Sequence, residues 1–180
     1  MSSACDDGAP RAAAIVDDGT ADVDTLLAAI ACQQRRLGRA VHGLVMTHPD
    51  GGHGCASPMV LVDLQTLDEY LVSQPLGSGS GACRADPQGF ARASAVLRRA
   101  AEAVPDLVVS NRFGALEAEG GGFSAELLEL MALGIPLLTV VATRHAEAWQ
   151  RFSGGAPLLP PERAAIDRWL AATLAAAAHA

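Results

Sequence analysis

Three polar segments carry the residue types and spacings that could do chemistry. The first is Asp17-Asp18-Gly19-Thr20-Ala21-Asp22, which follows the apolar run Ala12–Val16 and precedes an amphipathic helix. Strand, polar loop, helix is the slot in which a phosphate loop would sit, with backbone amides and the helix N-terminus turned toward an anion. The glycine-rich loop ending in Lys and Ser or Thr is missing, and three aspartates stand in its place. Carboxylates repel phosphate, so this slot cannot work as a standard phosphate loop. Three readings remain open: Asp17 and Asp18 hold a cation, they hydrogen-bond a ribose or an amine, or Asp22 only caps the helix.

The second segment runs from Ser110 to Phe123, S-N-R-F-G-A-L-E-A-E-G-G-G-F. Arg112 is always cationic and can grip an oxyanion in fork geometry. Asn111 and Gly114 flank it. Glu117 and Glu119 could serve as a base or as ligands for a hard cation such as Mg²⁺. The plain alternative is a solvated loop whose Arg and Glu pair with each other. The third segment, Gly-Ser-Gly-Ser-Gly from Gly77 to Gly81, leads into Cys83 and Arg84. Its amides could form an anion-binding nest, with Arg84 adding charge and Cys83 a soft ligand. A flexible linker would have the same composition. His48, His53 and Cys55 share one loop and could form a transition-metal site.

The elements that must position these segments follow from apolar periodicity. Strands are expected at 12–16, 41–46, 106–110 and 136–141, with helices at 22–37, 87–100, 124–133, 143–152 and 162–178. Runs at 59–64 and 69–72 read as a β-hairpin, and 153–161 as a linker. Strands alternating with helices give an α/β class: a three-layer, mostly parallel sheet flanked by helices, with a hairpin insertion. Residues 1–11 read as a flexible tail before a single domain, 12–180. Ligands in such sheets bind outside the carboxyl ends of the strands, where the first two segments are expected to lie.

Composition narrows the functions. The chain has 180 residues, 50% hydrophobic and only 4% aromatic, so its core is aliphatic. Folding at this length buries roughly 70% of the unfolded chain's surface. The formal net charge is −7, which argues against binding a phosphate backbone, so nucleic acid is not an expected partner. All 13 basic residues are Arg. With no Lys, a phosphate-loop lysine, a Schiff-base lysine and a lysine general base are excluded. Cys5, Cys32, Cys55 and Cys83 have neither zinc nor disulfide-scaffold spacing. No apolar run reaches the roughly 20 residues of a membrane span, and a cytoplasmic protein with no membrane partner is expected. Homo-oligomerisation is left open.

Several motifs together resemble one family. The Ser110–Phe123 segment, followed by a helix and G-I-P-L-L-T-V-V, resembles bacterial domain-of-unknown-function family 2478, with its N-K-F-G-K-x-E-A-E-G-R-G signature. The D-D-G before D-V-D-x-L-L matches Asp17 to Leu27. M-V-L-x-D-L matches Met59 to Leu64, and S-Q-x-L-G with C-R-x-D matches Ser73 to Asp86. The resemblance covers roughly residues 13 to 155. It implies a fold similar to small P-loop nucleoside-triphosphatases, with altered phosphate-loop and acidic strand-end motifs, since Asn111 stands where a carboxylate would act. Names of some members imply a link to molybdenum transport. Arg112 and Ala115 replace lysines of the signature and Gly121 replaces an arginine, which removes two cations from any shared anion site.

These readings lead to an anion-binding P-loop-like protein whose ligand is a nucleotide or an oxyanion such as molybdate. The expected contacts are Asp17, Asp18, Gly19, Cys83, Arg84, Asn111, Arg112, Gly114, Glu117 and Glu119. A divergent Mg²⁺-dependent nucleoside-triphosphatase and a non-catalytic interaction protein are the alternatives.

Overall fold

A computed structural model describes residues 11–48, 58–75 and 83–177. Its elements follow in chain order. Strand β1 (Ala12–Asp17) leads through the aspartate loop to helix α1 (Val23–Arg36), and β2 (Val41–Thr47) follows. A hairpin of β3 (Val60–Asp63) and β4 (Glu69–Leu71) comes next, then a small ribbon of β5 (Ser73–Pro75) and β6 (Cys83–Ala85). Helix α2 (Pro87–Ala103) leads into β7 (Leu107–Phe113), the single turn α3 (Ala115–Ala118) and α4 (Ser124–Ala132). Strand β8 (Leu137–Ala142) runs through a 3-10 turn (Thr143–His145) into α5 (Ala146–Phe152). The chain then forms β9 (Leu158–Leu159) and α6 (Arg163–Ala177).

Seven strands make one sheet in the order β4-β3-β2-β7-β8-β1-β9. The five from β2 to β9 are mutually parallel, and β3 and β4 extend one edge antiparallel. Both faces are buried, so the central strands read as near-continuous apolar runs. Ala12 and Ala14 of β1 pack in one cluster with Leu97 of α2, Leu127 of α4 and Trp149 of α5. Ala13 and Ile15 pack in the other with Leu27 of α1 and Leu170 of α6. Helices therefore cover both faces of a mixed, mostly parallel sheet.

Local sequence explains the element ends. Asp22 caps α1, accepting from Thr25 N at 3.0 Å, and Asp86 caps α2 ahead of Pro87. Gly43 sits where β2 and β7 approach most closely. A Cβ there would lie 1.9 Å from the carbonyl oxygen of Val109, and its φ is +117°. Only glycine satisfies both constraints.

The structure departs from the periodicity reading in four places. Strand β7 does not stop at Ser110 but continues through Asn111 and Arg112 to Phe113. Its polar residues hide the strand, because Arg112 lines a cleft and Asn111 turns to the Asp24 carboxylate rather than into the apolar core. The expected linker at 153–161 contains β9, too short at two residues to show a pattern. Cys83 and Arg84, expected in a loop, lie on β6, where their backbone pairs with β5. The expected helix at 143–152 opens with a 3-10 turn. The Gly77–Gly81 run, the tail before Arg11, and His53 with Cys55 lie outside the described residues.

Candidate functional site

The end of β7 is where the site is built. Ser110 pairs with Thr139 and Phe113 with Val141, so three steps on β7 match two on β8. This is a β-bulge. Its effect on side-chain direction shows in packing: Val108 and Phe113 belong to the same core cluster although their offset along the strand, from 108 to 113, is odd. The extra residue lets Phe113 return to the core against Trp149, ring centroids 5.5 Å apart, while Asn111 and Arg112 project at the strand end. Bulges re-aim side chains in this way.

Arg112 reaches two carboxylates. Its Nη1 donates to Asp17 Oδ2 at 2.8 Å and its Nη2 to Asp24 Oδ1 at 3.0 Å. Asn111 Nδ2 donates to the same Asp24 oxygen at 2.8 Å. His48, just past the end of β2, places Nε2 3.1 Å from Asp24 Oδ2. Asp24, in the first turn of α1, thus gathers donors from β7 and from the end of β2. Burial alone would raise the Asp24 pKa. The Arg112 charge and the hydrogen bonds from Asn111, Arg112 and His48 outweigh burial and hold it below the ordinary carboxylate value. Arg112 is affected in the opposite sense: burial disfavours its charge, but Asp24 and Asp17 hold the guanidinium more firmly protonated than usual. Asn111 is 2% exposed, and its Oδ1, like Arg112 Nε, has no hydrogen-bond partner among the described residues.

This network floors a cleft of about 470 Å³ lined by Asp17, Asp22, Asp24, His48, Arg112 and Arg144, with Ala21, Val23, Met46 and Met59 as apolar wall. The strand ends of β1, β2, β7 and β8 and the N-terminus of α1 meet there. The connection after β1 leaves toward one face of the sheet and that after β8 toward the other, the crevice in which open α/β sheets bind ligands.

The aspartate loop consumes its own amides. Gly19 N donates to Asp17 Oδ1 at 3.3 Å, Thr20 N to Asp18 Oδ1 at 2.9 Å, and Thr25 N to Asp22 Oδ1 at 3.0 Å. Donors that a phosphate loop would offer to a ligand are satisfied by side-chain carboxylates. Asp18 is fully exposed, and the Thr20 hydroxyl and amide lower its pKa.

The structure brings Asp17, Asn111 and Arg112 together, and of the other expected contacts Asp18, Gly19, Gly114, Glu117 and Glu119 do not line the cleft. Glu117 is buried, accepting from Gly114 N at 2.9 Å and Phe123 N at 3.0 Å. It ties the start of α3 to the start of α4. A Cβ on Gly122 would lie 2.0 Å from its Oε1. Glu119 is solvent-exposed, and neither glutamate lines the cleft; nor do Asp18, Gly19 and Gly114. Cys83 and Arg84 are placed only by their backbone, in the β5–β6 ribbon. Among the described residues, no three His, Cys, Asp or Glu side chains converge to hold a metal. Asp17 Oδ2 accepts from Arg112, and Asp18 Oδ1 accepts from the Thr20 amide and hydroxyl.

Sequence reasoning missed Asp24, His48 and Arg144 as one group. Asp24 carried a signal, since it lies in the D-V-D-x-L-L motif two residues past the cap. His48 was weighed only with His53 and Cys55.

Fold and site together define an α/β domain with a polar cleft at the carboxyl ends of a mostly parallel sheet. The chain belongs to the family described as Protein of unknown function (DUF2478), whose model matches residues 12–169. It is also similar to a molybdenum import ATP-binding protein, ModC 2, of Bradyrhizobium diazoefficiens. The two are 41% identical over 160 residues, which is 88% of this chain but 18% of that protein. The chain thus spans less than a fifth of the length of the relative it matches. No solved structure matches it significantly. Among the described residues, no helix is long and apolar enough to cross a membrane.

Proposed function

We propose that this chain is a P-loop-NTPase-like protein with a degenerate phosphate loop, and that the cleft binds a small anionic ligand of the nucleotide kind. The observation that carries the reading is the Arg112 guanidinium at the cleft floor, held by Asp17 and Asp24 where β1, β7 and α1 converge. Arg112 supplies the anion contact, with Arg144 at the same cleft adding positive charge. Asp17 and Asp24 offer acceptors to ligand hydroxyl or amino groups. Met46, Met59 and Val23 offer apolar wall. At about 470 Å³ the cleft falls within the size range of small-molecule sites.

Wall chemistry favours a nucleotide-sized ligand over a bare oxyanion. Three aspartates line the cleft against two arginines. A small dianion such as molybdate meets that field with nothing to offset it. A larger ligand adds apolar and hydrogen-bonding contacts that do. The second reading, oxyanion handling, rests on the molybdenum-import name of the relative.

A thermal-shift screen tests the reading, using ATP, GTP, molybdate, tungstate, sulfate and phosphate, each with and without Mg²⁺. A ligand at a hundredfold excess over its Kd stabilises the native state by about 2.7 kcal/mol. That is about 5–11 °C for a domain of this size. A shift with one nucleotide is the expected result, and Arg112→Ala and Arg144→Ala should reduce it relative to each variant's own ligand-free melt. A shift with molybdate or tungstate alone would replace the nucleotide reading by the oxyanion one. No shift with any compound would refute both and leave an interaction protein.

A further inference from the structure

The two carboxylates on Arg112 are not equivalent. Asp24 is 13% exposed in its side chain and receives Arg112 Nη2 and Asn111 Nδ2, with His48 Nε2 beside its other oxygen. Asp17 is 24% exposed, sits on the last residue of β1, and receives Arg112 Nη1 together with a long 3.3 Å contact from Gly19 N. Freeing Asp24 would strand donors from β7 and the end of β2 at once. Freeing Asp17 would release one short hydrogen bond, at the position nearer solvent.

We infer that Asp17 is the resident stand-in for the ligand's oxyanion: its carboxylate holds Arg112 Nη1, and an oxyanion of the ligand displaces it while Asp24 keeps the guanidinium in place. This deepens the nucleotide-binding reading above and rests on it. Carboxylate and phosphate oxygens accept from a guanidinium in the same fork geometry, so one can take the other's position. The neighbouring loop shows the same habit, with Gly19 N, Thr20 N and Thr25 N all on aspartate oxygens.

The exchange has a consequence for selectivity. Asp17 competes intramolecularly, at high effective concentration, so a simple inorganic anion displaces it poorly. A ligand whose body also contacts the Met46 and Met59 wall overcomes that competition. Asp17 thus sets a threshold that every oxyanion must exceed, and a bare anion lacks the further contacts to meet it.

The test is a titration of wild type, Asp17→Asn, Asp17→Ser and Asp22→Asn with inorganic phosphate and with ATP, by calorimetry at fixed ionic strength, with ligand-free melts alongside. Asp22 lines the same cleft, so Asp22→Asn controls for simple removal of negative charge. Phosphate and ATP affinities are both expected to rise about tenfold in Asp17→Asn, with Asp22→Asn changing either by under about threefold. Asp17→Ser repeats the effect in a side chain too short to reach Arg112. Equal gains in Asp17→Asn and Asp22→Asn would overturn the exchange and leave only a field effect. Unchanged or weaker binding in both Asp17 variants, with wild type binding ATP, would overturn it while sparing the cleft reading. Failure of all four proteins to bind either compound would refute the cleft reading itself.

Discussion

Replacing Asp24 with alanine removes the acceptor on which Asn111, Arg112 and His48 converge. A hydrogen bond to a charged group contributes about 1.5–3 kcal/mol, and breaking a buried ion pair costs about 3–5 kcal/mol. Two features reduce the figure here. Arg112 keeps its 2.8 Å bond to Asp17 and is 31% exposed, so its charge is not left wholly uncompensated. Removing Asp24 also relieves the burial penalty on its own carboxylate. The net expectation is a loss of about 2–4 kcal/mol, or about 4–16 °C in melting temperature for a domain of this size. Asp24→Asn keeps the shape and one acceptor and should cost about half as much. The pH dependence supplies a second readout. The folded-state pKa of Asp24 lies below its ordinary value of 3.8. A carboxylate depressed in the folded state contributes stability above its unfolded pKa and loses it as pH falls through the folded one. Wild type should therefore lose stability from about pH 4 downward more steeply than Asp24→Asn does. The assay is a set of circular-dichroism melts between pH 2.5 and 7.5 (approximate limits, set by the carboxylate range). A loss for Asp24→Ala no larger than for the exposed Asp18→Ala, or acid limbs that superimpose for wild type and Asp24→Asn, would refute the network as a structural unit.

Two further perturbations probe the frame around the cleft. Gly43→Ala places a Cβ 1.9 Å from Val109 O at a φ of +117°, so a loss of more than about 3 kcal/mol is expected by chemical denaturation; a near-neutral result would contradict the β2–β7 register. Glu117→Ala leaves the Gly114 and Phe123 amides without their acceptor and should cost about 2–4 kcal/mol, while Glu117→Gln retains part of the contact. Hydrogen exchange at Gly114 and Phe123 should rise in the alanine variant, and unchanged protection there would contradict the bracing role.

The sheet was legible in the chain because its central strands are buried on both faces. Runs such as Ala12–Val16 and Pro136–Val141 have no polar face to hide them, and Asp22, Gly38 and Gly134 punctuate the helices between, whereas Ser124, which looks like a cap, is the first residue inside α4. The end of β7 was not legible. Asn111 and Arg112 look like loop residues because polar side chains at a strand end satisfy a site, not a core. The bulge that turns them toward Asp24 leaves no mark on local pattern. Glu117 misled for the converse reason: a carboxylate in a glycine-rich stretch reads as reactive, and only packing shows it turned inward onto two backbone amides.

Composition and local spacing by themselves decided the α/β class, the absence of any lysine chemistry, the cap at Asp22 and the aspartate-filled loop after β1. Those are properties of single residues and their near neighbours. Which carboxylates meet Arg112 was decided only by tertiary structure, because Asp17, Asp24, His48 and Arg112 come from four separate elements. Parallel strands and the α1 crossover bring them to one edge of the sheet, and burial there converts scattered charges into a single hydrogen-bonded network.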